Sequence, residues 1–265
     1  PEVETVCRGI APLIIGQQVR AVTIRNAALR WPVRADLDLL LAGCEVLGVS
    51  RRAKYLLVTF SHGTLLLHLG MTGHLRVIQN DEERRKQDYV ELLFTDGSVL
   101  VLNDSRRFGA VLWTEEDPLQ HPRLAGLGPE PFADRFNPEL LYELSRRRSS
   151  VAVKPFLMDA SVVVGVGNIY ASEALFRAGV DPRTKACQVS AAAYARIVSA
   201  VRLVLEEAIA AGGTTIRDFA AADGNPGYFS QELRVYGRAE QPCVDCHAPI
   251  RQIRLGQRAS YYCPT

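Results

Sequence analysis

The sequence predicts an α+β, multidomain protein: an N-terminal β-sandwich or barrel behind a leading helix, a helical middle, and a small C-terminal strand module carrying cysteines. Three observations support this. Apolar segments of four to eight residues, separated by turns, run from Val19 to Trp113. Beyond a Pro- and Gly-rich stretch the apolar spacing becomes helical. Cys243, Cys246 and Cys263 cluster at the C-terminal end.

In chain order, Val3, Val6, Cys7 and Ile10 have the i, i+3, i+4, i+7 spacing of an amphipathic helix, and Gly9 and Pro12 are expected to limit it. Val19–Ile24, Tyr55–Phe60, Thr64–Leu69 and Leu75–Ile78 read as strands. Val90–Phe94 and Val99–Asn103 flank Thr95-Asp96-Gly97-Ser98, a hairpin signal. Short antiparallel strands at this spacing mean a sandwich or a barrel. Periodicity fails where Gly126, Gly128, Pro129 and Pro131 accumulate. The expected organisation is a first domain over 1–117, a linker over 118–136, a helical domain over 137–232 and a cysteine module over 233–265. Asn137-Pro138 reads as an N-cap with proline at the first helical position, opening a helix to about Arg147. A second helix is expected from about Asn168 to Ala178, closed by Gly179, and a third from Ser190 to Ala211, closed by Gly212-Gly213. No internal repeat or low-complexity tract is visible.

Composition bounds the function classes. The chain has 265 residues, 48% of them hydrophobic, and 31 Lys+Arg against 29 Asp+Glu, which excludes wholesale disorder. No apolar run reaches about 18 residues, so no spanning helix is expected. No basic-then-apolar leader marks secretion. The net charge of +2 does not choose a partner. Only four cations are lysines (Lys54, Lys86, Lys154, Lys185). The excess of arginine fits either genomic base composition or phosphate binding by bidentate guanidinium forks. Cys7, Cys44 and Cys187 lie in apolar surroundings and are expected to be buried, inert thiols; without a disulfide framework, a reducing cytoplasm is expected.

Several motifs could carry chemistry. Cys243-x2-Cys246 is one knuckle of a zinc ribbon, and Cys263 stands where a second would begin. Three readings stay open: a chain that stops before a fourth cysteine, His247 as substitute ligand, or structural cysteines without metal. A metal here would be structural, since so short a stretch buries too little core to fold unaided. Arg251, Arg254 and Arg258 between the knuckles make either a solvated basic face or a hairpin that reaches phosphate. Gly165-Val166-Gly167-Asn168 opens a helix and reads as an ordinary turn or as a backbone phosphate site. Lys54, in Arg51-Arg52-Ala53-Lys54-Tyr55, is by itself an exposed loop lysine. Met71 in His68-Leu69-Gly70-Met71, and Phe108 in Asp104-Ser105-Arg106-Arg107-Phe108-Gly109, fit core packing or a wedge that enters a duplex beside arginine.

Together these segments resemble the bacterial formamidopyrimidine-DNA glycosylases. The resemblance rests on Pro1-Glu2-Val3-Glu4-Thr5-Val6, the Lys54, Met71 and Phe108 segments just quoted, Leu127-Gly128-Pro129-Glu130-Pro131, Gly165–Glu173, Gly224-Asn225-Pro226-Gly227-Tyr228-Phe229, Val235-Tyr236-Gly237-Arg238 and Gln257-Arg258-Ala259. They span almost the whole chain, in order. The endonuclease VIII-like relatives share the architecture, and the Leu-Gly-Pro-Glu-Pro and Gly-Tyr-Phe segments look closer to the formamidopyrimidine branch.

The resemblance implies an N-terminal β-sandwich with a leading helix, a helix-two-turn-helix domain and a C-terminal zinc-finger β-hairpin, with DNA in a cleft. It implies a monomeric, cytoplasmic base-excision enzyme with one structural Zn2+ held by Cys243, Cys246 and Cys263. The partner is double-stranded DNA containing oxidised purines or abasic sites, not a membrane. The damaged base would be turned out of the stack. By position, Met71, Arg107 and Phe108 would fill the void and address the opposite base. Lys154, Asn168 and Arg258 would hold phosphates, Tyr236 would face DNA, and the loop from Thr214 to Tyr228 would close over the extruded base. Lys54 would assist base departure. In this family the N-terminal proline's secondary amine attacks C1′ and the adjacent glutamate is the general acid-base; an α-amine suits the task because it titrates far below lysine. The sequence departs from the family twice. The family begins Pro-Glu-Leu-Pro-Glu-Val-Glu-Thr, and Pro1-Glu2 aligns with its second Pro-Glu. The expectation is a nucleophile three residues upstream with Glu2 as a supporting acid; the other reading makes Pro1 a displaced amine and the protein a non-catalytic binder of lesions or abasic sites. The second departure is Tyr89, where the family commonly has a DNA-contacting histidine; tyrosine can donate a hydrogen bond but cannot become charged. An endonuclease VIII-like preference for oxidised pyrimidines is the remaining alternative.

Overall fold

The computed structural model describes residues 1–212 and 233–265. The described residues form two compact units, one built on Pro1–Ala125 and the other on Gly126–Ala210 with residues 233–265. The loop expected to cover an extruded base, and its Gly224 and Gly227, lie outside the described residues.

Glu2 and Glu4 sit in the first turn of α1 (Glu2–Ile14), where the positive end of the helix dipole favours them. The helix buries Val6, Cys7, Ile10 and Ile14 along one stripe. Pro12 does not stop it, contrary to expectation. Lying in the last turn, that proline forfeits only one backbone bond, while Ile15 N–H still reaches the Ala11 carbonyl at 3.1 Å. After β1 (Val19–Ile24) comes a five-residue helix, α2 (Leu37–Leu41), and then β2 (Gly48–Arg52), β3 (Tyr55–Phe60), β4 (Gly63–His68), β5 (Gly73–Gln79), β6 (Asp88–Phe94), β7 (Ser98–Asp104) and β8 (Ala110–Thr114). They pair as two antiparallel sheets, ordered β1-β6-β7-β5 and β2-β3-β4-β8. Inward residues of both sheets, such as Leu56, Val58 and Phe60 of β3 with Val90, Leu92 and Phe94 of β6, join α1 in one core. Of the two expected architectures this is the sandwich. Its β6–β7 hairpin turns where Asp96 accepts hydrogen bonds from the Ser98 N–H (2.9 Å) and hydroxyl (2.7 Å) and Gly97 takes a φ of +90°.

The second unit is helical. The Asn137 side chain caps α3 (Pro138–Arg146) by accepting the Leu140 N–H at 2.9 Å. A short α4 (Val153–Met158) precedes α5 (Asn168–Arg177), which Gly179 ends at a φ of +63°. The long α6 (Ala191–Ala210) packs on α3 and α5. A two-stranded hairpin, β9 (Arg251–Leu255) and β10 (Arg258–Tyr262), lies against α5. Among the described residues no helix is long and apolar enough to cross a membrane. Cys7 is buried as expected, whereas Cys44 and Cys187 are only half-buried, each with its thiol on a backbone carbonyl. Cys44 sits in the turn after α2 and Cys187 in a single 3-10 turn, Ala186–Gln188, segments too short to enclose them.

Candidate active site and nucleic-acid interface

In the first unit, α1 brings Pro1 and Glu2 beside the β2–β3 turn. The Pro1 nitrogen is 3.9 Å from a Glu2 carboxylate oxygen. The Glu2, Arg51 and Lys54 charges all bear on this nitrogen. Arg51 ties the helix to the turn, donating from Nε to Glu4 at 2.7 Å and from Nη1 to the Ala53 carbonyl at 2.9 Å. Burial alone would raise the Glu4 carboxyl, but hydrogen bonds from Arg51 and Arg8 hold it below the usual range. Ala53, at a φ of +54°, swings the exposed Lys54 outward at the tip of this turn. The head of α1, the Glu2 carboxylate and Lys54 therefore share one corner, a combination suited to proton transfer beside a reacting group.

His68 closes the same region from below. Its Nδ1 accepts the Gly70 N–H at 2.9 Å, which requires that nitrogen to be unprotonated. Burial, helped by the Lys54 and Arg30 charges, lowers its pKa from 6.5 to about 4. The unfolded chain takes up this proton near 6.5 and the folded chain only near 4, so the stabilisation is complete above pH 6.5 and drains away as pH falls toward 4. Thermal melting followed from neutral to acid pH is expected to show this loss, and His68→Gln is expected to flatten that part of the profile.

Met71 and Phe108 are 63% and 43% exposed, large for apolar side chains in a folded unit. Their loops abut at Gly70, whose φ is +63° and where a Cβ would stand 2.6 Å from the Phe108 carbonyl carbon. Only glycine allows both the turn and the approach. Arg106 stacks on Phe108 at 4.8 Å, while Arg107, at a φ of +58°, is exposed beside them. Beneath lies Asp104, fully buried, which accepts the Thr72 hydroxyl and the Gly109 N–H, both at 2.7 Å, and the Arg106 N–H at 3.3 Å. The result is an apolar tip flanked by guanidiniums on a braced loop. Tyr89 is not part of it: this side chain is half-buried and packs against the sandwich core.

The second unit gathers Lys154, Asn168, Tyr236 and Arg258. Lys154 is 1% exposed and gives its ammonium to Asn168 Oδ1 (2.6 Å), the Ala259 carbonyl (2.9 Å) and Ser260 Oγ (2.7 Å). All three donors are thus used inside the protein, so it braces its neighbours from behind. Burial and the Arg258 charge lower its pKa to about 8. Asn168 opens α5 and donates from Nδ2 to the Tyr236 hydroxyl at 3.2 Å. Tyr236 is held by Glu173, 1% exposed, whose carboxylate accepts the N–H groups of Arg234, Val235 and Tyr236 at 2.8–3.0 Å. Arg258 begins β10, is exposed, and has no ion-pair partner among the described residues. An amide, a hydroxyl and an unpaired guanidinium at the start of a helix make a surface suited to phosphate oxygens.

At the far end of that hairpin the Sγ atoms of Cys243, Cys246 and Cys263 lie within 4.8 Å of one another and can hold a metal ion. The Asp245 N–H points at the Cys243 sulfur at 3.5 Å, as in a metal knuckle. His247 is not in this group, so among the described residues the thiols supply three ligands and no histidine joins them.

Asp104, Glu173 and Ser260 escape sequence reading. The two acids stand inside quoted motifs, but one sequence does not distinguish a buried acid from a surface charge.

Fold and surface together define a class: a DNA-processing protein with a β-sandwich that carries an apolar tip flanked by arginines, and a helical unit that carries a hairpin with three clustered thiols. The family description "Formamidopyrimidine-DNA glycosylase N-terminal domain" matches residues 1–111, and "Formamidopyrimidine-DNA glycosylase H2TH domain" matches residues 127–220. A formamidopyrimidine-DNA glycosylase of Stutzerimonas stutzeri is 54% identical over 263 residues, covering 99% of this chain and 97% of the relative. The crystal structure of the Lactococcus lactis enzyme with a Fapy-dG containing DNA has a TM-score of 0.90 at 31% identity, covering 100% of this chain and 97% of that one. The same enzyme with an abasic site containing DNA gives 0.91 at 31% identity over the same shares. The chain belongs to the formamidopyrimidine-DNA glycosylase family.

Proposed function

We propose that the protein excises oxidised purines, 8-oxoguanine and formamidopyrimidines, from duplex DNA and then cleaves the strand at the resulting abasic site. The observation that supports this most is the likeness, along the whole chain, to an enzyme crystallised with Fapy-dG DNA. The proposed nucleophile is a proline secondary amine at the N-terminus of the mature protein. It forms a bond to C1′ as the glycosidic bond breaks, and Lys54 gives the departing base its proton. Glu2 acts as a supporting acid beside the amine. The sugar ring then opens, O4′ leaving C1′ and taking up a proton, to give an iminium that acidifies the C2′ proton; its removal expels the 3′ phosphate, and a second elimination expels the 5′ phosphate. Met71, Arg107 and Phe108 enter the duplex and face the opposite base, with the exposure of the apolar tip as support. Asn168, Tyr236 and Arg258 hold phosphates around the lesion, and Lys154 fixes Asn168 and the hairpin. Tyr89, at the position of a DNA-contacting histidine in the family, meets DNA by its hydroxyl alone.

The metal of the thiol group is proposed to be one structural Zn2+, because three thiolates on a knuckle and hairpin suit a tetrahedral ion that does no chemistry. The proposed domains are 1–117 catalytic, 118–136 linker, 137–232 helix-two-turn-helix and 233–265 zinc finger, in a cytoplasmic monomer. The test is incubation of the full-length protein with an 8-oxoguanine duplex and, in competition, a thymine glycol duplex. Cleavage of the first in preference to the second is expected. Preference for thymine glycol would assign the pyrimidine specificity instead, and binding without product would make the protein a lesion binder.

A further inference from the structure

In the first unit six guanidiniums are taken up by ion pairs within the fold. Arg8, Arg25, Arg34, Arg51, Arg76 and Arg84 each meet a carboxylate at 2.5–3.1 Å. Arg30 and Arg123 do not: among the described residues neither has a carboxylate within ion-pair distance, and both are exposed. Their guanidiniums instead lie over one ring, that of half-buried Trp31, at 4.8 and 4.0 Å from its centroid. Two like charges gathered on one indole without a counter-charge repel each other, and an anion between or beside them relieves that repulsion.

The backbone beneath both is fixed. Arg30 lies between buried Leu29 and Val33, and its N–H donates to the Gly109 carbonyl at 3.1 Å. Arg123 precedes buried Leu124 in a turn where the Arg123 N–H donates to His121 Nδ1 at 3.2 Å. The patch is continuous with the Met71 and Phe108 loops, since Gly109 directly follows Phe108 and the Arg30 charge bears on His68. An anion bound here would sit beside whatever those loops enter.

We propose that Arg30 and Arg123, held over Trp31, are a further phosphate-binding site that grips the duplex backbone next to the inserted loop. This rests on the DNA-binding reading above. Guanidinium forks suit phosphodiester oxygens, and aromatic stacking holds them in place without a competing carboxylate. The test measures binding of an abasic-site duplex by fluorescence anisotropy over a range of salt, for the wild type, Arg30→Gln/Arg123→Gln and Arg30→Lys/Arg123→Lys. The glutamine pair is expected to reduce the slope of log affinity against log salt by roughly 0.9 for each phosphate no longer neutralised, and the lysine pair to restore much of it. Trapping on a single-stranded abasic oligonucleotide and the melting temperature are expected to stay near wild type. An unchanged slope, or a fall in melting temperature with the slope intact, would overturn the proposal and reduce the stack to a clamp on the chain. A wild-type protein that bound no duplex would overturn the DNA-binding reading, and this site with it.

Discussion

Asp104→Asn is expected to impair processing of a lesion in duplex DNA while sparing chemistry on a single strand. The buried carboxylate accepts two groups at one oxygen and the Gly109 N–H at the other. Asparagine keeps only one oxygen, so one side of the loop loses its acceptor and gains a donor facing a donor. Leaving a buried group unsatisfied in this way costs about 1–3 kcal/mol. The loop that carries Arg107 and Phe108 then samples other positions, and a misplacement of about 1 Å can lower a rate by about 10²-fold. Cleavage of an 8-oxoguanine duplex is therefore expected to fall by between ten- and a hundredfold. Borohydride trapping on a single-stranded abasic oligonucleotide, which has no void to fill, is expected to remain within about twofold of wild type. Equal losses on both substrates would mean that the acid merely supports the sandwich. Thr72→Val, which removes one of the same bonds, gives a milder variant for the comparison.

Removing the metal is expected to have the other large effect. The hairpin from Arg251 to Tyr262 is too small to fold on its own apolar packing, and its buried cluster is little more than Val235, Cys243 and Ile250. Loss of the ion, by chelation or by Cys246→Ser, frees Arg258 and takes the Ala259 and Ser260 acceptors from Lys154. A buried ammonium is then left with most of its donors unmatched, a penalty of several kcal/mol. Duplex binding and strand cleavage are both expected to fall by about 10²-fold or more. Metal analysis of the purified protein, with activity followed as chelator is titrated, checks this; full activity in metal-free protein would contradict it.

The strands and long helices were legible because their signals are local: an Asn-Pro cap at Asn137, a glycine stop at Gly179 and period-two apolar segments need no tertiary context. The two short helices were not. α2 and α4 have five and six residues, too few to show a period, and α4 exists because Val153, Phe156 and Leu157 are buried. At the site, the motifs named Lys54, Met71, Phe108, Asn168 and Arg258, and each is exposed or half-buried within its unit. What the motifs could not convey is division of labour among like residues. Lys54 is exposed and Lys154 is enclosed, Arg51 is consumed by Glu4 and Arg258 is not, and Arg106 rather than Arg107 lies on Phe108. Those differences arise from residues distant in sequence, such as Glu173 meeting Val235.

The proposed chemistry depends on an amine at the head of the mature chain joining covalently to a deoxyribose carbon. Reduction with borohydride during turnover, followed by proteolysis and mass spectrometry of the cross-linked peptide, locates that bond. The mass of the sugar adduct is expected on the N-terminal proline nitrogen. An adduct on Lys54 or Lys154, or none while strands are still cut, would contradict it.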